Sequence, residues 1–284
     1  MHRQLFKYLK PKDKLFAVLK YVFLILCVIT ALFPILWVIL SSFKTNAEIL
    51  NSGISLPSKF SFDGYTQALK ISPILKYFLN SVIVTSAATV LNVFILAMAG
   101  YIFARFNFRG KEAVYFILSL SLIVPMTALL HPVFMTINAL GLANTKAGLV
   151  LVYTALNLPM SLLILRGTFM TIPKSLEEAA YMDGAGFGRI FFQIMMPVAK
   201  SGLTSAAVLT FLNCWNEFTF ALILTSSQNA RTLPLSLSYF TSQFSFNYTA
   251  MFAAITIAVI PSIAVFAVFQ EQVVSSLTAG SLKE

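Results

Sequence analysis

Glu217 is the one Asp, Glu, Lys or Arg within the long apolar runs of this chain. A charged side chain at mid-span carries a penalty of about 2.5–3.5 kcal/mol on insertion scales, so it has to avoid lipid. At helical spacing Thr210, Asn213 and Glu217 share one face, which Ala206 and Ala221 continue. Carboxylate and amide groups in such a stripe suit hydrogen bonding to the hydroxyls of a polar solute. They suit equally a contact with a second membrane subunit, or the capping of a backbone group inside a helix bundle. Ser81, Thr85, Thr89 and Asn92 form a second stripe, and Thr154, Asn157 and Ser161 a third. Small hydroxyl residues more often pack helices than hold ligands, which leaves Asn92 and Asn157 as the further path candidates.

Nothing in the chain is arranged for catalysis. His131, beside Pro132, has no paired carboxylates to relay a proton and suits a helix-end hydrogen bond better. Cys27 and Cys214 each lie in an apolar run, with neither disulfide nor metal-ligand spacing. The Gly184–Gly188 cluster follows no strand, and no G-x-x-x-x-G-K-S/T sequence occurs, which argues against a nucleotide loop.

The elements that must carry these groups are membrane helices. The chain is 58% hydrophobic and 11% charged, where a soluble domain has about a quarter charged residues. A bilayer requires about 20 apolar helical residues per span. Six segments satisfy this, near Tyr21–Leu40, Phe78–Phe103, Ala113–Thr136, Ala147–Leu165, Gly202–Leu224 and Ala250–Gln270. Pro125, Pro159 and Pro261 fall within spans, where they are expected to kink them. Six spans put both termini on one side, and the loops on that side hold 14 of the 20 Lys and Arg residues. By the positive-inside rule those loops and both termini are cytoplasmic, so the net charge of +10 needs no nucleic acid to explain it. The first apolar run is too long for a signal h-region and reads as a retained span. The predicted class is thus all-α and polytopic: a basic N-terminus over 1–20, a six-helix domain over 21–270 and a cytoplasmic tail over 271–284.

The loop between spans four and five holds Ile172-Pro-Lys-Ser-Leu-Glu-Glu-Ala-Ala-Tyr-Met-Asp-Gly-Ala-Gly186. Ser175 followed by Glu178 is a capping-box pattern, predicting a short helix from about Leu176. Gly184, Gly186 and Gly188 are expected to turn the chain into a second amphipathic stretch, Arg189 to Ile194. Such a helix suits either a groove on another protein or the bilayer surface.

These residues resemble a known family. Glu178-Ala-Ala180, then Gly184, Ile194, Met196 and Pro197 are spaced like the EAA loop of binding-protein-dependent ABC importers, with Met196 where Leu is usual. Ser42–Glu48, Asn80-Ser-Val, Tyr101–Gly110, Trp215–Phe218 and Leu277–Gly280 resemble the MalG-like branch of carbohydrate permeases. The resemblance implies a transport subunit in a bacterial cytoplasmic membrane, with no cofactor of its own and with ATP and Mg on partner ATPases. It implies a second permease subunit, two ATPase subunits, an extracytoplasmic solute-binding protein and a carbohydrate as partners, besides lipid. Glu178, Ala179, Ala180, Asp183, Gly184, Ala185 and Arg189 in the 172–197 loop would be the ATPase-coupling residues, and Thr278, Ala279 and Gly280 would touch the ATPases from the tail. Tyr239, Phe240 and Phe244 in the aromatic outer loop would meet the binding protein or anchor the bilayer edge. Import of another solute is the alternative. Ion-coupled secondary transport is disfavoured by the lack of a chain of intramembrane ionisable groups.

Overall fold

A computed structural model of the chain describes residues 11–240 and 247–281, with side chains over 15–240 and 247–274; every regular element among them is helical. The chain divides into two compact units: one reaches to Lys70 and takes in 247–256, the other covers Ile71–Tyr239 and continues from Ile257.

The first unit starts with α1 (Pro11–Ser41). Over residues 15–36 its apolar side chains find almost no cover among the described residues, with Phe23 66% exposed and Leu26 57%, as expected of a helix solvated by lipid or by another subunit; its end is packed, Trp37 lying on Phe252. After it, Thr45 caps α2 (Asn46–Asn51) through a capping box with Glu48. The Glu48 carboxylate accepts from the Thr45 amide at 2.8 Å, from the Thr45 hydroxyl at 3.0 Å, and from the Ser58 amide and hydroxyl. The Ser58 hydroxyl first, then the Thr45 amide, pull its pKa from 4.5 down to about 2. Phe43 packs on Phe60, Phe62 and Tyr65, which brings in α3 (Asp63–Ile71).

The second unit is built around α4 (Ile74–Arg105), which packs along α7 (Lys146–Leu156), α8 (Leu158–Thr171) and α10 (Lys200–Asn216). Leu96, Tyr101, Leu165, Phe169 and Ile190 form one core cluster, and Val84, Leu149, Tyr153, Phe220 and Leu235 belong to another. Where α4 meets α8 there is no room for a side chain: a methyl added at Gly100 would lie 3.0 Å from both the Leu165 Cβ and the Arg166 nitrogen.

Six uninterrupted spans are not what forms. Among the described residues, three helices are long and apolar enough to cross a membrane, Leu15–Ser41, Ile74–Arg105 and Tyr248–Val274. Two bent pairs raise the number to five if each counts as a span: α7 with α8, bent by 51°, and Phe187–Val198 with α10, bent by 76°. The expected third span is broken. α5 (Lys111–Leu120) ends in a turn, Pro125 leads a 3-10 segment over Met126–Leu129, and α6 (Leu130–Ala139) follows. At the α7–α8 bend, Pro159 has no N–H for the Ala155 carbonyl. The expected fifth span stops at Asn216 and resumes as α11 (Thr219–Leu224). Pro261 lies inside α12 (Tyr248–Ser281) without ending it.

Two outcomes follow from this packing. Gly100→Ala should destabilise the detergent-solubilised protein by about 1–3 kcal/mol, measured as loss of thermal or denaturant resistance. The control is Gly167→Ala, where a methyl meets nothing within 4 Å and helix propensity favours alanine. For Glu48 the folded pKa lies below the unfolded one, so its contribution is complete above about pH 4.5 and is lost as the pH falls toward 2. Carboxyl titration by NMR should place its midpoint near 2, and Ser58→Ala should move that midpoint upward.

Candidate functional site

The membrane candidates converge. The Asn92 amide, on α4, donates to the Thr154 carbonyl at 2.9 Å and its oxygen accepts from the Thr210 hydroxyl at 3.3 Å. Thr210 also meets the Ser161 hydroxyl at 3.1 Å. Asn213 donates to the Asn157 oxygen at 3.0 Å, and the Asn157 amide turns back to the Tyr153 carbonyl at 2.9 Å. These bonds join α4, α7, α8 and α10 with matched donors and acceptors, which is what a polar group in an apolar bundle requires. Asn92, Asn157 and Thr210 are buried within this network, whereas Asn213 keeps an exposed flank.

Glu217 closes the network from the other side of the break in the fifth apolar run. Its carboxylate accepts from the Phe220 amide at 2.6 Å, the Ala221 amide at 3.0 Å and the Tyr153 hydroxyl at 2.8 Å. Two of the amides that the restarted helix would leave orphaned are thereby satisfied. Three hydrogen bonds at one carboxyl group are what placing it at this depth requires, since a buried polar group without partners is costly. Of the roles open to Glu217 from sequence, backbone capping is the one whose partners are in place. Tyr153 was not singled out by the sequence reading, because a tyrosine in an apolar helix carries no spacing signal.

His131 sits exposed in the first turn of α6 and makes no side-chain hydrogen bond among the described residues, so the expected helix-end bond is absent. The Tyr239 hydroxyl meets that of Tyr77 at 2.9 Å and Phe240 is buried, while Phe244 lies outside the described residues. Thr278, Ala279 and Gly280 are on the helical backbone of α12, their side chains outside the described set.

The second candidate region is α9 (Ser175–Met182) and its surroundings. The expected capping box does not form. Ser175 is already the first helical residue, and Lys174 takes the cap position without a side-chain bond. The Glu177 and Glu178 amides bond to the Lys174 carbonyl instead, a backbone solution that leaves both carboxylates free for other use. The far end is a Schellman turn: the Ala185 amide reaches the Ala180 carbonyl and the Gly184 amide the Tyr181 carbonyl, both at 3.0 Å. Gly184 has φ of 77°, a conformation costly to any residue with a Cβ. Gly186 and Gly188 do not share it; Gly186 is extended and Gly188 lies in a helical turn. The Arg189–Ile194 stretch becomes mostly a π-helical turn over Ile190–Met195, just before Pro197, which cannot donate to the Gln193 carbonyl.

The two faces of α9 differ sharply. Ala180 is buried and the Glu177 side chain is 12% exposed. Glu178, Ala179, Asp183 and Gly184 face outward, beside Met182 at 88% and Tyr181 at 50% exposure. Ala185 is half-buried, and Arg189 is exposed with its Nε on Gln193 at 3.2 Å. Glu177 is held by Arg105 at the end of α4, whose Nε lies 2.6 Å from the carboxylate. An arginine ending a long apolar run is the one sign of this largely shielded pair in the sequence.

The sequence pattern of the family described as binding-protein-dependent transport system inner membrane component matches residues 96–278. The chain is 37% identical over 273 residues to the diacetylchitobiose uptake system permease protein NgcG of Streptomyces coelicolor, covering 95% of this chain and 90% of that one. It is 36% identical over 264 residues to the trehalose/maltose transport system permease protein MalG of Thermococcus litoralis, covering 91% and 94%. A crystal structure of a bacterial ABC transporter involved in the import of the acidic polysaccharide alginate has a chain of the same fold, with a TM-score of 0.81, 23% identity, and coverage of 93% of this chain and 98% of that one. With its broken apolar helices and its two-faced loop helix, the chain belongs to the binding-protein-dependent transport system inner membrane components, the permease subunits of ABC transporters.

Proposed function

We propose that this chain is one of two permease subunits of an importer for a carbohydrate, delivered by an extracytoplasmic solute-binding protein and driven by two separate ATPase subunits. The sugar solutes in the names of its relatives support the substrate class. In this reading α5, the 3-10 segment and α6 together form a broken sixth span, which with the three long helices and two bent pairs puts both termini in the cytoplasm. ATP and Mg belong to the partners, and no step of the chemistry is carried by this chain.

The observation that carries the proposal is the division of α9 into an anchored and a presented face. Met182 and Tyr181 are large apolar side chains projecting from a short loop helix beside Glu178. Exposed apolar groups clustered on a polar loop mark a contact with another protein. The rigid Schellman end fixes the direction in which they point. An ATPase cleft closing on that face would push α9 as a body, and the bent helices supply places for the bundle to change between inward and outward states. Asn213, with its exposed flank, is the polar residue of the network best placed to meet solute. Glu217, Asn92, Asn157 and Thr210 hold the surrounding helices. The tail, helical to Ser281, would present Thr278, Ala279 and Gly280 to the ATPases, and the outer loop with Tyr239, Phe240 and Phe244 would face the binding protein.

Glu178→Ala and Gly184→Val should each lower solute uptake by tenfold or more in cells while the amount of inserted permease stays within twofold of wild type. Normal uptake with normal ATPase assembly in both variants would overturn the assignment. In reconstituted vesicles with the cognate binding protein, ATP turnover should rise with a carbohydrate, and a rise with non-sugar solutes alone would reject the substrate class.

A further inference from the structure

We infer that the Arg105–Glu177 ion pair is the strut through which movement of α9 is passed to α4, so that both are positioning residues of coupling; this rests on the proposed docking of α9 to an ATPase. Arg105 occupies the last turn of α4. Its Nε meets a Glu177 oxygen at 2.6 Å, and a terminal nitrogen meets the Ile172 carbonyl at 2.6 Å. Ile172 is the residue that ends α8, so one guanidinium grips both ends of the segment that leads into α9. The side chains are 6% and 12% exposed. Such a pair, shielded from solvent screening and fixed in direction by the planar fork, transmits displacement in a way that a surface ion pair does not.

Packing around the pair reinforces it. One turn back along α4, the Tyr101 ring touches Phe169 of α8 at 5.5 Å between centroids, and Phe187 and Phe191 beyond α9 at 5.9 and 5.2 Å. The cytoplasmic end of α4 is therefore tied to the chain both before and after α9. Thirteen residues farther in, about 20 Å along a helix, Asn92 of the same α4 joins the buried polar network. Neighbouring glutamates thus divide the work: Glu178 faces the outside partner, and Glu177 connects the same helix to the bundle. The other described ion pair, Arg166 with Glu112 at 3.3 Å, has a 71% exposed carboxylate and no such position.

The test uses the whole importer, with partner permease and ATPases, reconstituted with its binding protein. Glu177→Gln should leave the ATPases co-purifying but reduce solute carried per ATP hydrolysed at least fivefold. Arg105→Lys, which keeps the charge and loses the fork, should fall in between, and the reciprocal Arg105→Glu/Glu177→Arg variant should recover at least half of the wild-type ratio. Glu112→Gln should have no effect. An unchanged ratio in assembled Glu177→Gln importer overturns the strut, as does joint loss of assembly and transport in both single variants without rescue by the exchange. A wild-type permease that holds no ATPase at all would instead overturn the docking reading beneath it.

Discussion

A backbone amide inside a bilayer finds no water, and this requirement governs the whole chain. A helix can be interrupted at that depth only if something else satisfies the groups the interruption frees. Glu217 does so at one break, by binding the Phe220 and Ala221 amides and drawing the Tyr153 hydroxyl onto itself. At the bend between α7 and α8, the Asn157 backbone and side-chain amides both return to the Tyr153 carbonyl. Tyr153 therefore stands between two discontinuities and links them. At these two breaks a residue of a polar stripe, Glu217 or Asn157, supplies the hydrogen-bonding group that makes the interruption tolerable.

Around these breaks the packing is close and shared. α4 touches each of the broken pairs, and its glycine at 100 lets α8 approach to backbone distance. The C-terminal end of α4 is held by an ion pair and an aromatic cluster, its middle by a buried amide. The local geometry of α9 complements this arrangement, with a Schellman turn to set direction, an inner face bonded to α4 and an outer face of exposed apolar and acidic groups.

Much of this was legible from sequence, and the limits have physical causes. Apolar runs revealed where membrane helices lie, because lipid demands apolar side chains whether a helix is straight or broken. For the same reason hydropathy could not reveal the breaks at Pro125, Asn157 and Glu217. Loop residues 172–197 were recognised through their spacing, and Gly184 proved to be the residue with the left-handed backbone. Ser175 misled: a Ser and a Glu three apart fit a capping box, but the Lys174 carbonyl had already taken the amides, so the helix began one residue early. Helical spacing singles out Asn92, Asn157, Thr210, Asn213 and Glu217; Asn92 bonds to Thr210 and Asn157 to Asn213, while Glu217 bonds to Tyr153 and the backbone. Arg105 and Glu177 are 72 residues apart. Nothing in the local pattern of either could announce the other.

The outer face of α9, held from within by Arg105, is the proposed dock for a nucleotide-driven subunit. Single cysteines or photoreactive residues placed through α9 in otherwise intact membranes measure this directly. Capture of the ATPase from positions 178, 179, 182 and 183, with none from 177 and 180, is expected of such a dock. Capture spread evenly around the helix, or absent from all of these positions, would contradict it.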